Sequence, residues 1–211
     1  MRRIVDLSLT ISSGFVPWPD EPAVDFRPLG NATNEYTVSQ ITFSSHTGTH
    51  IDVPGHCFNS RSTVGDLDLH KCIGEALVIH VKGRGAGEEI KLADFRKIEN
   101  KIKEGAKILI RTDWSKKFGR KEYFTDYPGI SQELAEWLAN KQISLLGIEQ
   151  PSVHTTKHLK VHRTLLQKGV VIVEGLTNLF QLKEKEIFLV VLPLKLDVTD
   201  GSPVRAIAIE E

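Results

Sequence analysis

One stretch of eleven residues, His46 to His56, constrains this chain more than any other. It reads His-Thr-Gly-Thr-His-Ile-Asp-Val-Pro-Gly-His, and four of its side chains can bind a metal or move protons: His46, His50, Asp52 and His56. All four have even numbers, so an extended chain would place them on one face. A helix would turn Asp52 away from the first two histidines, and the β-branched residues, the glycine and the proline disfavour a helix. A strand or extended loop is therefore predicted.

Distance limits how these side chains can share an ion. Six extended residues span roughly 20 Å, whereas metal–ligand bonds are about 2 Å long. A straight strand therefore cannot bring His46 and Asp52 to one ion. Either the chain folds back at Gly48 and other segments supply further ligands, which we favour, or the stretch serves two neighbouring ions. In a third interpretation these side chains only cap turns, but that is less expected for four such groups in one short stretch.

The ligand types themselves indicate a chemistry. Two imidazoles and a carboxylate suit zinc or manganese, and three protein ligands are typical of catalytic zinc sites that leave one position open for water. A further carboxylate, Glu174, directly follows the apolar run Val170–Val173. A carboxylate at such a position is costly unless it is paired or bound to metal. Glu174 is therefore expected to be either a metal ligand or part of a structural ion pair.

Three more histidines and a tryptophan are candidates for the site. His158 and His162 would share one face if residues 156–168 are helical, with Gly169 ending that helix. For His154, as for the other two, a surface position is the default expectation. Trp18 lies between two prolines, which present it rigidly. It would either stack on a flat aromatic substrate or fill a gap beneath its loop.

Composition narrows the class of protein. The 211 residues, 40% hydrophobic and 26% charged, predict one globular domain spanning residues 1–211. The 27 basic and 27 acidic residues give a formal net charge of zero, which offers no support for nucleic-acid or membrane-surface binding. Cys57 and Cys72 are too few for a disulfide framework or a Cys-rich zinc site. Without a signal-type or 18-residue apolar segment, a cytoplasmic protein is expected.

Strand patterns outnumber helix patterns, which predicts an α/β or α+β sheet protein without a doubly wound rhythm. The predicted strands are Ile4–Leu9, Tyr36–Phe43, Ala76–Val81, Ile108–Ile110, Ile143–Ile148, Val170–Val173, Ile187–Leu192 and a last one within Asp200–Ile209. The predicted helices are Leu92–Ile102, Glu133–Asn140 with Ser131 as N-cap, and residues 156–168.

The stretch from His46 to His56 resembles the HxGTHxDxPxH signature of the cyclase family of metal-dependent hydrolases, which includes bacterial kynurenine formamidases and isatin hydrolases. The resemblance extends over nearly the whole chain. Its other matching segments are Pro17-Trp18-Pro19, Gly147-Ile-Glu-Gln-Pro-Ser-Val153, the pair His162 and Glu174, and Gly201-Ser-Pro-Val-Arg205. Glu149 stands where the family commonly has Asp, and Gln150 where Thr is common.

The resemblance implies an α/β fold, a swivelling β/β/α domain with a mixed sheet and few helices, assembled as a homodimer or larger. It implies that His46, His50 and Asp52 bind a divalent metal, with His162 and Glu174 completing a second metal position. One or two ions would be bound, with zinc expected and manganese as the alternative.

The resemblance also implies an activity. His56 would be the general acid and base, and Trp18 would contact the ring of a small aryl amide substrate. The implied reaction is that of an arylformamidase, which converts N-formylkynurenine to kynurenine and formate. The alternatives are hydrolysis of a cyclic amide or lactone, as in isatin hydrolase, and a non-catalytic protein that binds a metal or ligand.

Overall fold

The computed structural model describes residues 2–30 and 36–210, and it is a mixed α/β fold with few helices. The strands are β1 (Arg3–Asp6), β2 (Asp25–Leu29), β3 (Val38–Thr42), β4 (His50–Asp52), β5 (Ile73–His80), β6 (Glu89–Ile90), β7 (Lys107–Arg111), β8 (Gly129–Ile130), β9 (Leu145–Ile148), β10 (Val171–Glu174), β11 (Glu186–Pro193) and β12 (Gly201–Glu210). The α-helices are α1 (Glu122–Thr125), α2 (Gln132–Asn140) and α3 (His158–Leu166). Short 3₁₀ helices lie at Pro54–His56, Val64–Asp66, Leu69–Lys71, Leu92–Lys101, Trp114–Lys117 and Leu179–Gln181.

The large sheet closes on itself like a barrel. In the described part of the chain its strand order is β1-β12-β11-β5-β7-β9-β10-β4, and β4 pairs a second time with β12. Strands β5, β7, β9 and β10 run parallel to one another, whereas the other pairings are antiparallel. The three-residue strand β4 therefore lies between β10 and β12 and closes the ring.

Three of the parallel strands, β7, β9 and β10, are buried on both faces. Along β7, Ile108 and Ile110 pack beneath the helices, while Leu109 between them packs with the apolar cluster on the other side of the sheet. Strand β10 shows the same alternation, with Ile172 on the helix side and Val173 on the other. Burial on both faces explains why these strands have continuous apolar sequences rather than an alternating pattern.

The predicted strands are found, with shifted ends, but five elements differ from expectation. Strands β2, β6 and β8 had no clear sequence signal. Strand β3 pairs with β2 in a separate two-stranded ribbon rather than with the large sheet. The segment Leu92–Lys101 is a 3₁₀ helix rather than an α-helix, and only Phe95 of its residues is buried.

The local helix signals are confirmed. The Ser131 side chain accepts a hydrogen bond from the Leu134 amide at 3.2 Å, as an N-cap should. Gly169 follows α3 with a φ of +74°, the left-handed conformation that ends a helix. No described helix is long and apolar enough to cross a membrane. The prediction of one domain over residues 1–211 includes residues 1, 31–35 and 211, which lie outside the described residues, and it stays a prediction.

Closure of the sheet depends on a close approach between two backbones. Gly175, directly after β10, has a φ of +67°, and a Cβ built there would lie 2.7 Å from the carbonyl oxygen of Gly48. The Thr49 hydroxyl donates a hydrogen bond to the Gly175 carbonyl at 2.7 Å. The turn before β4 is thus fastened against the end of β10.

Replacement of Gly175 by alanine should destabilise the protein more than the same change at a glycine in open space. Gly83→Ala is the matched control, because Gly83 has a φ of +72° and no atom within 4 Å of its ideal Cβ. Positive φ alone costs about 1–3 kcal/mol, and the backbone clash at Gly175 adds about 1–3 kcal/mol. Denaturant unfolding of both variants measures the difference, and equal losses would contradict the need for close approach.

Candidate metal centre

The turn at Gly48 brings the two ends of the histidine-rich stretch together. Gly48 has a φ of +71°, and the His46 Nδ1 lies 2.9 Å from Asp52 Oδ1. The prediction that the chain folds back at this glycine is therefore confirmed. Glycine suits this position because it adopts positive φ at little cost.

Strand pairing supplies the second part of the cluster. In the antiparallel register, His50 lies opposite Glu174 of β10, so their side chains share one face. The His50 Nε2 lies 3.6 Å from Glu174 Oε2 and 3.5 Å from Asp52 Oδ1. Ile51 between the two ligand candidates points to the apolar cluster on the opposite side. Within β4, the even-numbered residues His50 and Asp52 therefore share one face, as the sequence predicted for an extended chain.

Helix α3 contributes the fifth side chain. Its residue His162 is buried, and its Nε2 lies 3.3 Å from Asp52 Oδ2 and 3.2 Å from Glu174 Oε1. The default expectation of a surface position was thus wrong for His162, because α3 packs its histidine face against β10. Asp52 is fully buried at the centre and faces three imidazoles.

Backbone carbonyls set the orientation of two of these rings. The His50 Nδ1 lies 3.0 Å from the Gly48 carbonyl oxygen, and the His162 Nδ1 lies 2.9 Å from the His158 carbonyl oxygen. A neutral ring that donates from Nδ1 keeps its lone pair on Nε2. Both Nε2 atoms are aimed at carboxylates, which are also acceptors. A cation or added protons must therefore lie between them.

The buried polar atoms of this cluster fit a divalent cation. Four of them have no hydrogen-bond partner: Asp52 Oδ1, Asp52 Oδ2, His162 Nε2 and Glu174 Oε1. Such atoms cost free energy when left unsatisfied, and imidazole nitrogens with carboxylate oxygens are ligands that zinc and manganese accept. Two groups have ligand atoms within 4.8 Å of one another: His46, Asp52 and His56, and His50, Asp52 and Glu174.

The charges of the cluster shift the pKa values of its members. Burial alone would lower the pKa of His50, but Asp52 and Glu174 outweigh it and raise the pKa to about 10. The pKa of His162 is likewise raised well above its usual range, because the same two carboxylates outweigh burial. The two carboxylates thus attract positive charge strongly, as a metal-binding cluster should.

His56 lies beside the cluster, on the 3₁₀ helix Pro54–His56. Its ring centroid is 4.3 Å from that of His46 and 5.1 Å from that of His162. Desolvation by the surrounding wall lowers the pKa of His56, and the two neighbouring imidazoles add to this effect against the pull of Asp52. At neutral pH its imidazole is therefore able to accept a proton. Gly55 fixes its position, because a Cβ there would lie 1.8 Å from the Thr199 carbonyl oxygen.

A cavity of about 350 Å³ opens onto this cluster. Besides the cluster, its wall contains Trp18, Glu21, Pro151, Ser152, His158 and Leu159. The ring of Trp18 is half-buried and packs edge-on against Phe124, with centroids 6.2 Å apart. Trp18 therefore both fills space beneath its loop and presents a surface to the cavity.

Three polar residues near the site were misjudged or missed in the sequence. His154 is buried rather than exposed, because its Nε2 lies 3.2 Å from Glu89 of the distant strand β6. Glu149 is buried and accepts hydrogen bonds from the Thr112 amide at 2.6 Å and the Ser115 hydroxyl at 2.7 Å, so it anchors the loop after β7. Asp200 was not singled out, yet its Oδ2 lies 3.3 Å from His46 Nε2. Its only signal was its place beside Gly201.

Known proteins are similar to this chain in sequence and in fold. The family model described as "Putative cyclase" matches residues 5–155. A kynurenine formamidase of Geobacillus thermodenitrificans is 35% identical over 211 aligned positions, covering 98% of this chain and 97% of that protein. A structure described as a "predicted metal-dependent hydrolase" from Bacillus stearothermophilus superimposes with a TM-score of 0.84 at 26% identity, covering 100% of both chains. Isatin hydrolase A from Labrenzia aggregata shares the fold, with a TM-score of 0.88 at 24% identity over 99% of this chain and 93% of that one.

Binding of a divalent cation should release protons. The pKa of about 10 keeps His50 protonated below that pH, and a ligand nitrogen must lose its proton. We expect about one to two protons released per cation near pH 7, and an affinity that rises about tenfold per pH unit for each displaced proton. Calorimetric titration with zinc in buffers of different ionisation enthalpy measures both quantities.

The variant His50→Ala should bind zinc weakly and release fewer protons. His70→Ala is the control, because His70 is an exposed histidine outside the cluster. A zinc affinity that does not change between about pH 6.5 and 9 would contradict the assignment of His50.

Proposed function

Because this chain belongs to the cyclase family, we propose that it is an arylformamidase, a metal-dependent hydrolase that converts N-formylkynurenine to kynurenine and formate. It hydrolyses a C–N bond other than a peptide bond. One observation carries the proposal: histidine and carboxylate side chains from β4, α3 and β10 converge on unsatisfied acceptor atoms beside an open cavity. The 35% identity to a kynurenine formamidase over nearly the full length supports this substrate.

The proposed metal ligands are His46, His50, Asp52, His162 and Glu174. Zinc is the expected ion, with manganese as the alternative, since the donor set suits both. Asp52 belongs to both groups of converging ligand atoms, which supports one or two ions with Asp52 shared. A bound divalent cation would supply Lewis acidity and would lower the pKa of water at the site toward the neutral range.

His56 is the proposed general acid and base. Its lowered pKa leaves the ring neutral at pH 7, so it can take a proton from the attacking water. As the oxygen of that water bonds to the formyl carbon, the C–N bond breaks, and His56 returns the proton to the departing aryl amine nitrogen. The products are formate and a free amine. General acid–base help of this kind is worth about 10² to 10⁴ in rate.

Trp18 is the proposed contact for the aromatic ring of the substrate. It lines the cavity together with Leu159, and the packing of Phe124 against its edge limits its freedom to move. A fixed aromatic surface suits an aryl amide, because offset or edge contacts between rings are favourable. The cavity of about 350 Å³ is of a size that holds a small molecule.

Cyclic amides of the isatin type, or lactones, are the second candidate substrate class, because the fold is shared with isatin hydrolases. The same water and the same proton carrier would open such a ring. A non-catalytic protein that binds a metal or ligand is the third candidate. That function would give no role to His56, which lines the cavity.

The remaining features of the proposal concern architecture and location. The closed mixed sheet with few helices supports assignment as a swivelling β/β/α domain. We propose that the protein assembles as a homodimer or larger and that it is cytoplasmic. Its proposed binding partner is a small aryl amide rather than nucleic acid or a membrane.

A metal-resolved assay tests the activity. The protein is stripped of metal, reloaded with zinc or manganese, and assayed on N-formylkynurenine and on isatin. We expect kcat/KM for N-formylkynurenine to exceed that for isatin by at least about tenfold, which is about 1.4 kcal/mol of transition-state discrimination. The reverse preference would favour the cyclic amide, and a metal-loaded protein that hydrolyses neither would favour a binding protein.

The variant His56→Ala should lose at least about a hundredfold in kcat while its metal content stays at the wild-type level. His70→Ala again serves as the control for loss of a histidine. Steady-state kinetics and elemental analysis of the purified variants measure the two quantities. Retained activity would remove His56 from the mechanism, and loss of metal would make it a ligand instead.

A further inference from the structure

The ring of His46 lies between two carboxylates. Its Nδ1 is 2.9 Å from Asp52 Oδ1, on the side of the metal cluster, and its Nε2 is 3.3 Å from Asp200 Oδ2, on the other side. His46 is therefore held the opposite way round from His50 and His162, whose Nε2 atoms face the cluster and whose Nδ1 atoms face backbone carbonyls.

Asp200 is itself fixed to both ends of the stretch that carries the ligands. Its carboxylate accepts a hydrogen bond from the Ser45 hydroxyl, directly before His46. Its carbonyl oxygen accepts one from the Val53 amide at 3.0 Å, directly after Asp52. Asp200 is thus tied to the turn it supports rather than lying free in the connection between β11 and β12.

The next residue shapes the space for the ring. A Cβ built on Gly201 would lie 2.9 Å from His46 Cε1 and 2.5 Å from the carbonyl oxygen of Ile51. The imidazole therefore lies against bare backbone at the start of β12. The Asp200 carboxylate and the Gly201 backbone therefore contact the His46 ring on the side away from Asp52.

We infer that Asp200 is a positioning residue that fixes His46 as a metal ligand through Nδ1. An imidazole that binds through Nδ1 carries its proton on Nε2, and a carboxylate that accepts this proton fixes the tautomer and makes the ligand nitrogen more basic. This role rests on the proposed metal site. Asp200 is not among the residues that line the cavity, and in this role it acts only through His46.

Zinc affinity of the purified protein tests this role. Asp200→Ala should weaken zinc binding about 10- to 100-fold, as measured by competition with a chelator. Asp200→Asn, which keeps the size and an acceptor oxygen but loses the charge, should show a smaller loss. Asp197→Ala is the matched control, because Asp197 is an exposed aspartate of the same connection, and it should bind zinc as the wild type does.

Two further measurements separate positioning from a merely structural role. Metal-stripped Asp200→Ala loses the hydrogen bond from the Ser45 hydroxyl, so its unfolding temperature should fall no further than that of metal-stripped Ser45→Ala, which loses the same bond. In the zinc-loaded wild type, ¹⁵N-resolved NMR should show a slowly exchanging Nε2–H on His46, and Asp200→Ala should lose that signal. If Asp200→Ala binds zinc like the wild type, or weakens only in step with its unfolding temperature, the inference is wrong.

The outcomes also distinguish this inference from the proposed function. A wild-type protein that binds no divalent cation would overturn both. A wild type that binds zinc while every Asp200 variant matches it would overturn the role of Asp200 alone. A wild type that binds zinc but hydrolyses another substrate would overturn the arylformamidase proposal. The role of Asp200 would still be tested by the zinc affinity of its variants.

Discussion

The structure depends on the burial of two carboxylates, Asp52 and Glu174, on one face of the closed sheet. A buried charge without a partner costs about 3–5 kcal/mol, and here two like charges lie close together. Three imidazoles face them, and the two carboxylates raise the pKa values of two of these rings, His50 and His162. The cluster therefore needs positive charge beside the carboxylates, which protonated imidazoles supply without a metal and which the proposed divalent cation would supply in their place. The free-energy cost of these buried charges is confined to this cluster, and apolar clusters pack on both sides of the sheet around it.

The precision of the cluster comes from β4 and its two neighbours. This strand has only three residues, but its register is fixed twice, since Asp52 lies opposite Ile172 on one side and Gly201 on the other. A shift of one residue would turn the ligand candidates toward the apolar cluster and Ile51 toward the cavity. The glycines at 55, 175 and 201 matter for the same reason, because each lets a backbone carbonyl approach where a Cβ would collide, and Gly48 matters because it adopts a positive φ. Short elements with doubly fixed register can thus hold side chains as firmly as long ones.

Much of the site could be predicted from local sequence, because its signals are local. The even spacing within His46–His56, the turn at Gly48 and the carboxylate after an apolar run each follow from chain geometry. What the sequence could not reveal is set by distant partners. The burial of His154 depends on Glu89, 65 residues away. The contacts of the His46 ring come from Asp200 and Gly201, where the connection from β11 meets β12. In the same way, the sequence did not indicate that β3 pairs with β2 outside the large sheet. Alternation of apolar and polar residues predicts a strand, but it does not identify the strand with which it pairs.

The double pairing of β4 also has a consequence for how the protein is made. His50 and Asp52 are synthesised well before β12, which completes one side of their strand. At about 5–20 residues per second, the roughly 150 residues between them take about 8–30 s to appear. During that interval the nascent chain carries these histidines without the rigid frame that selects a coordination geometry. The geometry of the proposed metal site is thus completed only after β12 has been synthesised and has paired with β4.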